Sequence, residues 1–563
     1  MKTRQVELFE VEKFSDIRDM LGKAMDNAGN QEAFIYYDKK DLKSATYSEF
    51  VMTTEYLGTA LTDMGFGSSH IANIGENSYK WVCVYLTVLK SAGVYVPIDK
   101  ELTINDIINI ANDSESEVLF YASKFENILK ENRESFPNIK YFIGLSKEED
   151  EGEFLSYDKL LEKGKELYES GNREYTKLKS DEHDMKLLVY TSGTTGIAKG
   201  VMLTEHNLVN SVYCGLQTAS IYTKCLSVLP YHHTYEAVCG LLVAIHKHAT
   251  ICINDKLTNV LKNLQLFKPD YIFLVPAFAE LFYKRIWATL KEKKLDKVIK
   301  VLIAISNGLL KIGIDVRRKF FKSIIDNFGG NLLEIVCGGA PIRAEVGEFF
   351  NSIGVCLLNG YGITECSPLV SVNRMEINNP QTVGILLPCL DLKFEDLDDE
   401  GIGEICVKGD VVMKGYYKQP ELTAEVLSED GWFRTGDYGK LSDDGLLMIT
   451  GRKKNLIVLN NGKNIYPEEI EGYIQAIPYV KEVVVYSLLD ENGLEASLCA
   501  EIFPDYESPF VTECENLATM VRKDVSEVTA ELPVYKRISE IRIRKEEFVK
   551  NSSNKIKRNL INK

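Results

Sequence analysis

Apolar and polar positions alternate along this chain in two rhythms. Short unbroken apolar runs, bounded by turn residues, predict buried strands at His70–Ile74, Val94–Ile98, Val118–Tyr121, Ile139–Leu145, Tyr271–Val275, Leu333–Val336 and Val355–Leu358. Between them lie stretches with helical spacing, among them Ser78–Ser91 and a segment reaching about Asn132. Strand–helix–strand alternation over this length predicts layered α/β architecture with largely parallel sheets. No short-period repeat of the solenoid or propeller kind interrupts it.

The rhythm changes near residue 390. From Leu390 to Ile449 the segments become short and β-like, with Gly401, Gly403, Gly409, Gly415, Gly431, Gly436, Gly439 and Gly445 as turn positions, so a small antiparallel unit is expected. After Gly451-Arg452-Lys453-Lys454 comes a helix around Pro467–Gln475, a hairpin about Asn492-Gly493 and a helix near Val511–Ala530. The expected fold is therefore α/β. A large N-terminal domain over 1–451, made of layered α/β subdomains with a small β-rich subdomain at about 390–450, precedes a small α+β C-terminal domain over 452–563. The boundary is placed at about Arg452–Asn455.

Length and composition narrow the class. The 563 residues suit several structural units, and 45% hydrophobic with 26% charged residues describes a globular chain. No apolar run approaches the ~20 residues that cross a bilayer, and Met1–Glu12 has no apolar core of a secretory signal, so a cytoplasmic protein without a transmembrane segment is expected. Twelve cysteines stand singly, with no C-x-x-C pair, and read as reduced and mostly buried. A net charge of −16 argues against nucleic acid as a partner. Any anionic substrate must then be held by a local constellation, since the field of the whole molecule repels it. Lys536–Lys563 is locally basic, and a solvated tail is the plain account of it.

Such a constellation follows the strand-like Met185–Val189. In Tyr190-Thr-Ser-Gly-Thr-Thr-Gly-Ile-Ala-Lys-Gly-Val201, glycines at 193, 196 and 200 let the backbone turn its N–H groups toward an anion. The hydroxyls of Thr191, Ser192, Thr194 and Thr195 add donors, and Lys199 adds a point charge. A polyphosphate calls for all of these together. Because Lys199 is followed by Gly200, the pattern is not that of a Walker loop, and on local composition alone a flexible Gly/Thr loop stays open.

This stretch resembles the phosphate loop of the adenylate-forming superfamily, in particular its acyl-CoA synthetase and long-chain fatty acid–CoA ligase branch. Further signatures follow in the family's order: Leu229-Pro-Tyr-His-His-Thr-Tyr-Glu236, Gly338-Gly-Ala-Pro-Ile342, Tyr361-Gly-Ile-Thr-Glu365, Gly431-Trp-Phe-Arg-Thr-Gly-Asp437, Gly451-Arg-Lys-Lys454, Gly462-Lys-Asn-Ile-Tyr-Pro-Glu-Glu-Ile-Glu471 and Asn554-Lys-Ile-Lys-Arg558. Ala198 stands where the family often has proline, and Asn554 where it often has glycine, which affects loop stiffness more than chemistry.

The resemblance implies ATP-dependent activation of a carboxylic acid, of medium or long chain, to acyl-AMP and transfer to the thiol of CoA. An acyl carrier protein as the accepting thiol is the alternative within enzymes, and a nucleotide-binding scaffold the alternative of another class. ATP, Mg²⁺ and CoA are the implied cofactors. Thr191 and Ser192, with Gly193, Thr194, Thr195, Gly196 and Lys199, would cradle phosphates. Gly339, Ala340 and Tyr361 would line the adenine slot, Thr364 would touch the α-phosphate, and Glu365 would ligate Mg²⁺. Asp437 would accept the ribose hydroxyls with Arg452 beside it, and His233 would stand at the carboxylate pocket. Lys555 would be the catalytic cation bridging carboxylate and α-phosphate, Lys454 the hinge, and Gly462 part of the loop serving the thioester step. Metal binding by His232–His233 or His246/His248 is not expected, because neither pair has a complete ligand set. The aromatic residues of Tyr271–Ile286 are expected in the core rather than along an acyl tunnel.

Overall fold

The computed structural model describes residues 2–192, 198–459, 463–489, 495–530, 532–550 and 556–561, the side chains of Ser192 and Asn559 excepted. The chain forms two compact units. The larger comprises Thr3–Asp391 and Lys408–Phe433, the smaller Leu392–Val407 and Arg434–Lys563 with the first two residues.

Two sheets organise the larger unit. In the eight-stranded one, Met185–Ser192, Val94–Ile98, His70–Ile74, Val118–Tyr121, Tyr141–Gly144 and Phe154–Ser156 run parallel in that order. Ala198–Thr204 and then Gly415–Tyr416 extend its other edge antiparallel. The predicted strands appear where both sheet faces are covered, which is why they read as continuous apolar runs. Ser78 caps the helix Tyr79–Leu89 by accepting the Trp81 N–H at 3.2 Å, and every residue from Trp81 to Leu89 is buried. Full burial of each large apolar side chain contributes about 1.5–3 kcal/mol, so this helix is held by packing on all sides rather than by one stripe.

The second sheet has nine strands. Cys356–Gly362, Glu334–Cys337, Tyr271–Leu274, Lys224–Ser227, Thr250–Ile253 and Glu32–Asp38 run parallel, with antiparallel strands added at both edges. On one face Ile335, Cys337, Leu357 and Ile272 pack into a large core with Phe282, Phe328 and Phe350. The other face carries Glu334, Val336 and Gly338, because successive side chains on a strand point to opposite sides. The helix Glu205–Thr218 and the wide π-type turns of Tyr235–Leu242 contribute the opposite wall of a cavity over that face.

In the smaller unit, Leu390–Glu395, Gly403–Gly409, Phe433–Leu441 and Leu447–Arg452 form a four-stranded sheet. Residues 408–433, inside the glycine-punctuated stretch, group with the larger unit, where Gly415–Tyr416 pairs with Val201–Met202. Val480–Leu489 and Glu495–Pro504 pair antiparallel on either side of Asn492-Gly493, which lies outside the described residues. Ile538–Ile543 adds a parallel third strand. The helix expected over Val511–Ala530 is instead a short turn, Pro509–Thr512, and a separate helix Leu517–Val528. Asn516 starts the second by accepting the Thr519 N–H at 3.0 Å, and such a cap resets the chain direction.

All twelve cysteines are free and most are buried, as small apolar side chains. Among the described residues, no helix is long and apolar enough to cross a membrane.

Candidate active site

The phosphate-type sequence is flanked by two antiparallel strands. Thr191 on Met185–Ser192 faces Lys199 on Ala198–Thr204, and Ser192 faces Ala198. Gly193, Thr194, Thr195 and Gly196 lie outside the described residues. Lys199 places its ammonium 5.2 Å from the centre of the Tyr416 ring, a cation–π contact. The Tyr416 hydroxyl donates to Oε1 of Glu365 at 2.9 Å, and the Met413 N–H donates to the Glu365 carbonyl at 2.8 Å. Burial and the Glu365 carboxylate together push the Tyr416 phenol well above its ordinary range, so it stays a donor. Tyr416 thus ties the hairpin cation to the Tyr361–Glu365 motif.

Thr364 and Glu365 sit half-buried on a single 3₁₀ turn after the strand Cys356–Gly362. The Glu365 carboxylate has the donor chemistry that a hard cation prefers. A carboxylate offers about four lone-pair sites, so it can accept the Tyr416 bond and still ligate Mg²⁺.

Gly338 and Gly339 follow the strand Glu334–Cys337, and Gly339 takes φ +86°, a left-handed conformation that disfavours a side chain. Gly339 and Ala340 are exposed, while Tyr361 on the neighbouring strand is buried. Tyr235 donates its hydroxyl to the Val336 carbonyl at 3.0 Å and packs edge-on against Phe273, with ring centres 5.7 Å apart.

Against this sheet face lies an apolar channel of about 90 Å³. Its sheet wall is Phe273, Val336 and Gly338, its helix wall Gly215, Leu216 and Cys239. A Cβ built on Gly215 would meet only Leu369, at 3.5 Å, so glycine there widens the bore. Tyr271 and Phe282 are core residues as expected, but Phe273 lines the channel because it points to the opposite sheet face from Ile272.

The His232 and His233 rings lie 4.1 Å apart, and His232 Nε2 stands 3.5 Å from Asp99 Oδ1. Burial first, then the neighbouring His233, holds His232 down to about 3, so it stays neutral. Close by in sequence, Glu236 is buried within the π-type turns, accepts a hydrogen bond from Ser227, and is pushed up to about 8 by burial. The burial of Glu236 has no signal in the sequence, since an acidic residue in an apolar run gives no sign of whether water reaches it. Among the described residues, Glu182, His183 and His206 form a group able to hold a metal ion, at the surface.

In the smaller unit Asp437 and Arg452 are directly opposed across antiparallel strands, and Arg452 Nε meets Asp437 Oδ1 at 3.0 Å. Asp437 is buried; Arg452 is half-exposed. Lys453 pairs with the buried Glu404, and Lys454 is exposed on the turn that follows. Gly462 and Lys555 lie outside the described residues. Three residues beyond Lys555, Arg558 pairs with Glu471 on the helix Pro467–Gln475, and Glu471 also accepts the Val485 N–H at 2.6 Å. Ile556 packs against Val484, Tyr486 and Phe548.

Comparison with known proteins identifies the family. A family model described as AMP-binding enzyme matches residues 22–417. Long-chain-fatty-acid–CoA ligase 1 of Cavia porcellus is 30% identical over 493 residues, 82% of this chain and 70% of that protein. Fatty acyl-CoA synthetase A of Dictyostelium discoideum is 28% identical over 493 residues, 83% and 73% of the two chains. Among solved structures, the fold is shared with an anthranilate CoA ligase in complex with anthranoyl-AMP, at TM-score 0.77, 18% identity and 97% and 96% coverage. It is also shared with the adenylation domain of a carboxylate reductase from Mycobacterium chelonae, at TM-score 0.80, 20% identity and 97% and 89% coverage. The chain belongs to the AMP-binding enzyme family, the adenylate-forming superfamily whose ordered motifs it carries.

Proposed function

We propose that this enzyme activates a fatty acid with ATP and passes the acyl group to the thiol of CoA, yielding acyl-CoA, AMP and pyrophosphate. The observation that carries this reading is the apolar channel whose lining includes Gly338, Gly339 and Tyr361, the residues assigned to the adenine side. A chain of methylenes buried there presents its carboxylate at the end where a nucleotide would lie. Relatives named long-chain-fatty-acid–CoA ligases support the same substrate class.

The chemistry follows from charge. A carboxylate is a poor electrophile, and its attack on the α-phosphate brings two anions together. Groups fixed where negative charge accumulates lower that barrier. In this reading Thr191, Ser192 and Lys199, with 193–196, hold the β- and γ-phosphates, and Thr364 contacts the α-phosphate. Glu365 would hold Mg²⁺, which supplies charge neutralisation on the phosphates when bound. Asp437 accepts the ribose hydroxyls while Arg452 fixes its carboxylate. Lys555 bridges the two reacting anions, and His233 with the neutral His232 borders the carboxylate end. Pivoting at Lys454 then withdraws Lys555 and brings the Gly462 loop to the thiol, so that domains 1–451 and 452–563 act as body and lid.

The test is AMP formation with CoA present, across acids from acetate to palmitate plus benzoate. Activity rising with alkyl length supports the reading; activity confined to benzoate or acetate overturns it. Replacing CoA by an acyl carrier protein identifies the thiol. Pyrophosphate release that ignores added acid would mark a nucleotide-binding scaffold instead.

A further inference from the structure

The channel is apolar along its walls but not at the end away from Gly338 and Gly339. Glu334 lines it there, 2% exposed, and its Oε1 has no hydrogen-bond partner. Glu334 and Val336 share one face of the strand and Gly338 follows it, so at ~3.3 Å per residue the Glu334 backbone lies about 13 Å from that glycine. That is the reach of a medium-length alkyl chain. Ala219 and Ser220, just past the end of the helix Glu205–Thr218, line the channel too, and Ser220 is exposed.

We infer that Glu334 is a specificity-determining residue that selects acyl chains bearing a hydroxyl at their far end over plain alkyl chains of equal length. This rests on the proposed acyl-activating function and names its substrate class more closely.

The argument is one of pairing. Burial, then the nearby charges of Asp270 and Glu376, pushes the Glu334 carboxyl up to about 8, so at neutral pH it keeps its proton. A neutral carboxyl offers one O–H donor and a carbonyl acceptor. A terminal hydroxyl, itself donor and acceptor, satisfies the orphaned Oε1; a terminal methyl leaves it unpaired, which costs about 1–3 kcal/mol. A terminal ammonium would lose its hydration between Val336, Phe273 and Leu216, and one protonated carboxyl does not replace that shell.

The experiment compares kcat/KM for AMP formation with plain, hydroxyl-terminated and amino-terminated acids of matched length, hexanoate to hexadecanoate, at neutral pH. The hydroxyl-terminated acid should be favoured by about tenfold or more over its plain counterpart at the length that reaches Glu334. Glu334→Gln, which keeps a donor and an acceptor, should retain that preference, and Glu334→Leu should reverse it. A ratio near one at every length in the wild-type enzyme overturns the inference even if Glu334→Leu does not fold, and so does a preference for the amino-terminated acid. Plain acids activated without discrimination would leave the proposed function standing; AMP formation with none of them would remove both.

Discussion

Tyr416 donates its hydroxyl to Glu365 at 2.9 Å while its ring carries the Lys199 ammonium at 5.2 Å. One aromatic side chain therefore orients the carboxylate assigned to Mg²⁺ and the cation assigned to phosphate. Tyr416→Phe keeps the ring contact and removes the hydrogen bond. A bond to a charged acceptor contributes about 1.5–3 kcal/mol. The variant should need on the order of tenfold more Mg²⁺ for half-maximal ATP–pyrophosphate exchange, with the melting temperature little changed. An unchanged Mg²⁺ requirement would mean that Tyr416 does not orient Glu365.

Asp437 faces Arg452 across the strand pair, 3.0 Å from its Nε. Asp437→Asn loses the carboxylate that would take both ribose hydroxyls, and such charge-assisted bonds are about twice as strong as neutral ones. The expected result is a KM for ATP raised roughly tenfold to a hundredfold, read from initial rates, with the KM for the acid nearly constant. Equal rises in both would place Asp437 in general folding rather than in nucleotide binding.

Much of this site was legible because its residues sit in local patterns. The strands His70–Ile74, Val94–Ile98 and Val118–Tyr121 were readable to the residue, being apolar runs buried on both faces and closed by turn residues. Tyr416 was not, because its position depends on a two-residue strand pairing with Val201–Met202, more than two hundred positions earlier. Glu334 was equally hidden. It sits inside the apolar run Leu333–Val336, at the first residue of its strand, where a strand end commonly meets water, and its burial comes from segments distant in sequence. The fold class and the motif order are local information; partners across a sheet edge and the floor of a cavity are not.

Arg558 pairs with Glu471, which is in turn bound by the Val485 N–H, so the described residues that follow Lys555 in sequence are anchored to the helix Pro467–Gln475. Lys555→Ala should abolish acyl-AMP formation yet leave conversion of supplied acyl-AMP to thioester. Arg558→Ala should follow the same pattern in weaker form, with adenylation slowed about tenfold to a hundredfold through loss of a well-placed cation. Measuring the two half-reactions separately decides the matter. Equal loss in both would assign Arg558 to domain stability and remove Lys555 from the bridging role.

Glu236 fixes a pH dependence of stability. Burial pushes its carboxyl from 4.5 up to about 8, with the Ser227 hydrogen bond acting the other way. In the unfolded chain the proton leaves near pH 4.5, in the folded protein near 8, so between those values the unfolded state binds fewer protons. Stability then falls as pH rises through this window; the loss is absent below it and complete above it. Glu236→Gln carries no proton to lose and keeps an oxygen for Ser227 within the same shape. Urea midpoints should therefore nearly coincide near pH 4.5 and diverge in favour of the variant toward pH 8, by on the order of a few kcal/mol. Glu334 shares this window and steepens both curves alike, so the difference between variant and wild type isolates Glu236. Parallel curves would show that Glu236 ionises in the folded protein as it does in water.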